Sequence, residues 1–412
     1  MFYVLGGTTV NFTVKLSTSG SVQMGYINNS GIKTRTYSGI GSSHSTSFTI
    51  PFTGYYRFYV TNQSSGTLQI TGGTISFFFF FILLIIEAFM RKIIFKVIKW
   101  ILLVLILILA VIVVWNYACK RNEAGKVKDA YGQSVEVAGK NMVVDIKGEE
   151  NETTIILLPG WGSPSPVLEF LPLAEQLSKE YRAITIEPFG YGLSDVADTE
   201  RNIDTIVEEL HECVKELDYN QYYLMAHSLS GLYSLYWANV YPQEVQGFIG
   251  IDPSVPKQSD EEPFPISMIA LNKLSAYWQK VKNITGITRL QSVAHSEKAI
   301  YADLSYGYSE KQLEVYRILS MDYMYNKDVM NELKHMEETL ETVRDMKFPE
   351  DLPVLQFISS SNCEIMDLWE PLHKEVITET GRSEVIRLDG GHYLHFERRQ
   401  EIVEKVNEWI LN

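Results

Sequence analysis

Cysteine is scarce: Cys119, Cys213 and Cys363 are the only three in 412 residues. An odd, widely spaced set makes neither a disulfide framework nor a zinc site. Basic residues are also in short supply. Residues 1–89 hold four of the 36 basic residues and one of the 50 acidic ones, a net of +3. The rest has 32 basic against 49 acidic, a net of −17. So acidic a body excludes nucleic acid as a partner, because phosphate contacts need clustered Lys and Arg. One stretch, Trp100–Trp115, has no charge at all. Overall composition is otherwise that of a globular protein, 46% apolar and 21% charged. The length fits two or three units of about 150 residues each.

Three regions follow one another. Residues 1–76 are rich in Ser, Thr, Gly, Tyr and Phe. Runs such as NFTVKL, SFTIPF, YYRFYVTN and TLQITGGTI lie between Gly, Ser and Asn turns, which predicts a small antiparallel β unit without chemistry of its own. Residues 77–118 are apolar in two pieces. FFFFFILLII (77–86) is too short to span a bilayer, which takes about 20 residues, whereas 93–118 reads as a transmembrane helix. Lys96 and Lys99 snorkel at one end, and Trp100, Trp115 and Tyr117 suit the interfaces. Arg91, Lys92, Lys96 and Lys99 precede the apolar centre, Trp100–Trp115, while the Lys and Arg after it are diluted by Glu123 and Asp129. The positive-inside rule therefore expects a single pass with the C-terminal region outside the cytoplasm. From Met90 the sequence has the form of a signal-anchor start. The expectation is that residues 1–89 are a fusion or a read-in from an upstream frame.

After a linker at 119–130, residues 131–412 alternate strand and helix patterns. Apolar strands at 153–160, 181–190, 222–228, 245–254, 353–361 and 384–391 predict an α/β fold, a mostly parallel sheet with helices on both faces. The connection at about 255–352 is far longer than an ordinary loop and carries helical patterns, as expected of a cap over an active site. Tyr277, Trp278, Tyr301, Tyr306, Tyr308, Met321, Tyr323 and Met324 are candidates to line an apolar cleft beneath it.

Three short motifs carry the chemistry. AHSLSG (226–231) places Ser228 at a strand-to-helix turn, where a strained backbone exposes the hydroxyl; Ala226 and Ser230 stand where G-x-S-x-G has glycines. LLPGWGSPSP follows an apolar strand. Its backbone at Trp161, with that of Leu229, offers amides for an oxyanion. A dinucleotide turn is excluded there, since Ser165 occupies the third glycine position. LDGGHYLHF places His392 between the last strand and the last helix. His395, three residues on, has no accompanying carboxylate-rich cluster in sequence, so neither a metal nor another cofactor is expected.

The order oxyanion loop, Ser, His over residues 131–412, with GYGLSD at 190–195, resembles the α/β-hydrolase family. The resemblance implies a Ser-His-acid triad: Ser228 as nucleophile, His392 as base, Trp161 and Leu229 as oxyanion donors. It departs at the acid. Asn362 stands in SSSNCE where the family usually has Asp, with Glu364 two residues later, and Asp252 in GIDPSVP follows the preceding strand. Asp252 and Glu364 both keep the chain order Ser, acid, His, and both stay open. The expected protein is a membrane-anchored serine hydrolase acting on a small-molecule acyl substrate such as a carboxylic ester. The alternatives are an acyltransferase, or a non-catalytic binding protein that kept the fold. Substrate and oligomeric state are not legible.

Overall fold

The computed structural model describes residues 1–79, 81–261, 268–294, 302–379 and 381–411. It divides into two compact units, Met1–Leu107 and Ile108–Asn412.

In the first unit, β1 (Phe2–Val4), β2 (Thr9–Ile27), β3 (Lys33–Thr49), β4 (Gly54–Asn62) and β5 (Ile70–Phe78) form an antiparallel sheet. The long β2 is its spine and pairs with β3, β4 and β5. Val10, Phe12, Val14 and Leu16 alternate inward along it, the two-residue period of a half-buried strand. The start of the phenylalanine run thus closes β5 rather than opening the apolar helix. That helix, α1 (Phe81–Val127), is continuous and longer than the expected span of 93–118. Its Phe89–Val127 portion is long and apolar enough to cross a membrane, and its most apolar window is unburied. Because α1 runs on to Val127, residues 119–127 are helix and not linker.

The second unit is built on an eight-stranded sheet. Its strands are β6 (Gln133–Val137), β7 (Lys140–Lys147), β8 (Thr154–Leu158), β9 (Arg182–Glu187), β10 (Tyr222–His227), β11 (Val245–Ile251), β12 (Val354–Ser359) and β13 (Glu384–Leu388). Their spatial order is β13-β12-β11-β10-β8-β9-β7-β6. From β9 to β13 every pairing is parallel, and β7 is antiparallel to both β6 and β9. The central strands are apolar without interruption because both faces are covered. Along β8, Ile155 and Leu157 enter one core and Ile156 and Leu158 the other.

Helices α2 (Pro166–Leu177) and, at the C-terminus, α12 (Arg399–Leu411) cover one face. Helices α3 (Ile203–Glu216) and α4 (Ser230–Val240) cover the other. Local signals set the starts: Ser165 caps α2 with Pro166 behind it, and Asn202 caps α3. Between β11 and β12 the chain forms α5 (Met268–Thr285), α6 (Ile287–Ala294), α7 (Glu310–Asp322) and α8 (Lys327–Thr342). Short helices α9 (Ser360–Ile365), α10 (Trp369–Glu375) and α11 (Leu394–Glu397) follow β12, α9 and β13 in turn.

Candidate active site

The site forms where the carboxyl ends of β10, β11 and β13 meet. Strand β10 ends at His227, and Ser228 turns directly into α4 with φ of +53°. A non-glycine residue in the left-handed region is uncommon and costs energy, so the neighbours must enforce it. They do so by contact. Ser230 is buried and its hydroxyl donates to the Pro159 carbonyl at 2.5 Å. A Cβ on Gly231 would lie 2.5 Å from the Pro253 Cβ. The small residues of AHSLSG are therefore fixed by close backbone approach.

The Ser228 hydroxyl lies 2.9 Å from His392 Nε2, and His392 Nδ1 lies 2.7 Å from Asp252 Oδ2. An ionised carboxylate only accepts, so Nδ1 carries the proton and Nε2 is left to accept from the serine. Asp252 is fully buried at the end of β11, with φ of +43°. Its two oxygens accept from the Ser359 amide and hydroxyl, Asn362 Nδ2 at 2.6 Å, Trp369 Nε1 at 3.0 Å and His392. Burial pushes this carboxyl up. The His392 hydrogen bond and charge, the Ser359 amide and the Trp369 indole outweigh it, and the group titrates below the ordinary Asp range.

Glu364 stands elsewhere. Its side chain is 73% exposed and approaches Arg387 at 3.7 Å. The structure brings Asp252, and not Glu364, to His392. Asn362, at the position where an acid was expected, serves that acid as a donor.

The loop after β8 lies directly against the serine. A Cβ on Gly160 would fall 3.1 Å from Ser228 Cβ and 2.7 Å from His227 Nδ1, so only glycine allows this approach. Next to it, the amides of Trp161 and Leu229 have no acceptor among the described residues. Leu229 follows Ser228 at the start of α4, where the helix dipole favours negative charge, and Trp161 follows Gly160 in this loop. Three contacts hold the loop. The Trp161 indole donates to the Val329 carbonyl at 3.1 Å and meets Tyr325 edge-on. Gly162 donates to the Tyr191 hydroxyl, which donates to Glu332 at 2.6 Å, and Tyr233 donates to the same carboxylate at 2.7 Å. Glu332 is raised by burial, opposed by those two phenols.

Three further residues cluster here: His395 was weighed from sequence only as a metal ligand, and His227 and Glu169 were not singled out. His227 Nε2 donates to the His392 carbonyl at 3.0 Å, tying the residue before the serine to the backbone of the base. Burial, with His392 and His395 adding to it, pushes the His227 imidazole well below its ordinary range and keeps it neutral. Behind it, His395 Nε2 approaches Glu169 Oε1 at 3.3 Å, and His227 Nδ1 approaches the same oxygen at 3.9 Å. Among the described residues, this buried Glu169, His227 and His395 group is the one with metal-ligand spacing, and atoms of all three lack a hydrogen-bond partner. The signal was divided between α2, the end of β10 and α11, so no local motif could reveal it.

The cap differs from the sequence expectation. Tyr277 and Trp278 point outward and are exposed. Met321 is buried within the cap, where it accepts from Ser292. Tyr306 and Tyr308 pack edge-on against each other. Met324 approaches the loop after β8, with its methyl 3.9 Å from a Cβ position on Gly162. Tyr301 lies outside the described residues. A cavity of about 510 Å³ is lined by Val127, Tyr131, Leu193, Tyr323 and Asn326, and by none of Ser228, Asp252 and His392.

A family model described as alpha/beta hydrolase fold matches residues 153–296. The uncharacterized protein YbdG of Bacillus subtilis is 26% identical over 269 residues, 64% of this chain and 80% of that protein. Among solved structures, the epoxide hydrolase VrEH1 of Vigna radiata aligns with a TM-score of 0.52 at 18% identity, covering 68% of this chain and 97% of its own. The epoxide hydrolase CorEH aligns at 0.53 and 17%, covering 68% and 98%. Sheet order, the position of the strand-to-helix turn and these matches agree: the second unit has the α/β-hydrolase fold.

Proposed function

We propose that this protein is a membrane-anchored serine hydrolase that cleaves a carboxylic ester or related acyl substrate. One observation carries the reading: the unbroken hydrogen-bond chain from Ser228 through His392 to buried Asp252. Ser228 attacks the carbonyl carbon as His392 Nε2 takes its proton. Asp252 holds the imidazole in the right tautomer and balances the imidazolium. The Trp161 and Leu229 amides receive the oxyanion. His392 then protonates the leaving alcohol, and water, deprotonated by the same nitrogen, releases the acyl group.

The epoxide hydrolases among the structural neighbours favour a second reading, which chemistry disfavours. Opening an epoxide with a serine oxygen would leave an ether on the enzyme. Water does not hydrolyse an ether under these conditions, so turnover would stop after one event. An acyl-serine, by contrast, is an ester that the same base can cleave. Helix α1 provides the anchor, with the hydrolase unit on the outer side, as the cationic residues before the span favour.

A fluorophosphonate probe tests the nucleophile. Labelling of the wild type that is abolished in Ser228→Ala is expected. An unlabelled wild type would overturn the proposal in favour of a binding role.

A further inference from the structure

Helix α5 is amphipathic the wrong way round. Its outward face carries Leu271, Leu274, Tyr277, Trp278, Val281 and Ile284, all exposed, with Leu274 at 70% and Trp278 at 60%. These follow the spacing of three and four residues that marks one helix stripe, a stripe that normally faces a core. The inward side is tied down instead: Ala276 is buried, and Lys273 pairs with Glu337 of α8 at 2.8 Å. Helix α6 continues the outward apolar surface with Leu290 and Val293. Contiguous exposed apolar surface of this kind marks a site of contact with a partner or a membrane.

The neighbouring helix says which. The apolar part of α1 ends at Trp115, and polar residues begin at Asn116. At that boundary α1 meets the cap. Asn116 Nδ2 donates to the Asn283 carbonyl at 3.0 Å, and a Cβ on Gly286 would touch Asn116 and Ile112. Buried Arg289 of α6 donates to Asn116, pairs with Glu123 of α1, and holds Asp322 with both oxygens. The end of α5 is thus fixed at the level where α1 turns from apolar to polar.

We infer that the outward stripe of α5 and α6 lies in the headgroup layer of the bilayer that α1 crosses, and that the substrate is an amphiphilic ester taken from that bilayer. Trp278 and Tyr277 have the amphipathic rings that favour this layer, and Lys280 and Lys282 flank them. The inference rests on α1 as a span and on the acyl-hydrolase reading.

The test uses the full chain in vesicles containing brominated phosphatidylcholine, which quenches tryptophans in contact with the acyl region. Of the seven tryptophans, Trp100 and Trp115 lie on α1. The W100F/W115F protein should be quenched, and adding W278F should remove that quenching. Quenching of Trp115 in W100F/W278F without quenching of Trp278 in W100F/W115F overturns the cap contact and leaves the anchor standing. Release of the chain by alkaline carbonate, with no quenching from either, overturns both. For the substrate, Leu274→Glu with Trp278→Glu should lower the ratio of turnover on a vesicle-borne ester to turnover on a soluble short ester by about tenfold. An unmoved ratio, with Trp278 still quenched in W100F/W115F, overturns the bilayer substrate. No activity on either ester, with the probe unlabelled, would place the failure in the hydrolase reading instead.

Discussion

The turns after β11 and β12 lie side by side and have opposite fates. The first ends in a buried carboxylate that accepts five hydrogen bonds. The second, SSSNCE, supplies three of those donors, through Ser359 and Asn362, while its own acid, Glu364, is out in solvent beside Arg387. An acid at this depth is stable in its charged form only where donors replace the lost water. What keeps the buried carboxylate charged is therefore the neighbouring turn, not its own.

Four substitutions break or sharpen that contrast. Asp252→Asn has the largest expected effect. Turnover should fall by about 10⁴, the order seen when a triad acid becomes an amide, with probe labelling slowed and the fold retained by thermal melting. Asn362→Asp places a second carboxylate against Asp252 Oδ2. Two carboxylates at that distance cannot both stay ionised, so the pair keeps a proton to higher pH than Asp252 does alone, where it titrates below the ordinary Asp range, and the rising limb of the pH–rate profile should move upward. At neutral pH activity should drop roughly thirtyfold and recover in alkaline buffer. A profile that only scales down, without moving, would make Asn362 a packing residue. Trp369→Phe removes one indole donor from the carboxylate. A loss of about 1.5 kcal/mol, roughly tenfold in kcat/KM, is expected. Glu364→Ala should change activity by less than about twofold, because an exposed ion pair is worth about 0–1 kcal/mol. A larger loss from Glu364→Ala than from Asp252→Asn would invert the assignment of the two turns.

Much of the fold was legible because strands covered on both faces read as uninterrupted apolar runs, as TTIILLPG and YYLMAHS do. Ser228 and His392 were legible for a related reason: each sits at the junction of a strand with a following turn or helix, and junctions show in sequence. The acid was not, since Asp252 and Glu364 satisfy the same chain order and only the approach of β11 to β12 separates them. Tyr277 and Trp278 of α5 were cleft candidates and face outward, because periodicity gives the width of an apolar face and not its direction. Glu169, His227 and His395 are distant in sequence, and their convergence is a property of packing alone. The phenylalanine run gave no periodicity, so the division between β5 and α1 inside it could not be foreseen.

Arg289 also decides where this chain can be cut. A protease, or an engineer seeking a soluble form, that severs α1 before Asn116 leaves the guanidinium with Asn116, Glu123 and Asp322 in place. A cut only a few residues later, after Glu123, strips two of those partners from a buried cation, and breaking a buried pair in that way costs about 3–5 kcal/mol. Loss of the apolar part of α1 and survival of the cap are thus separated by roughly two turns of helix.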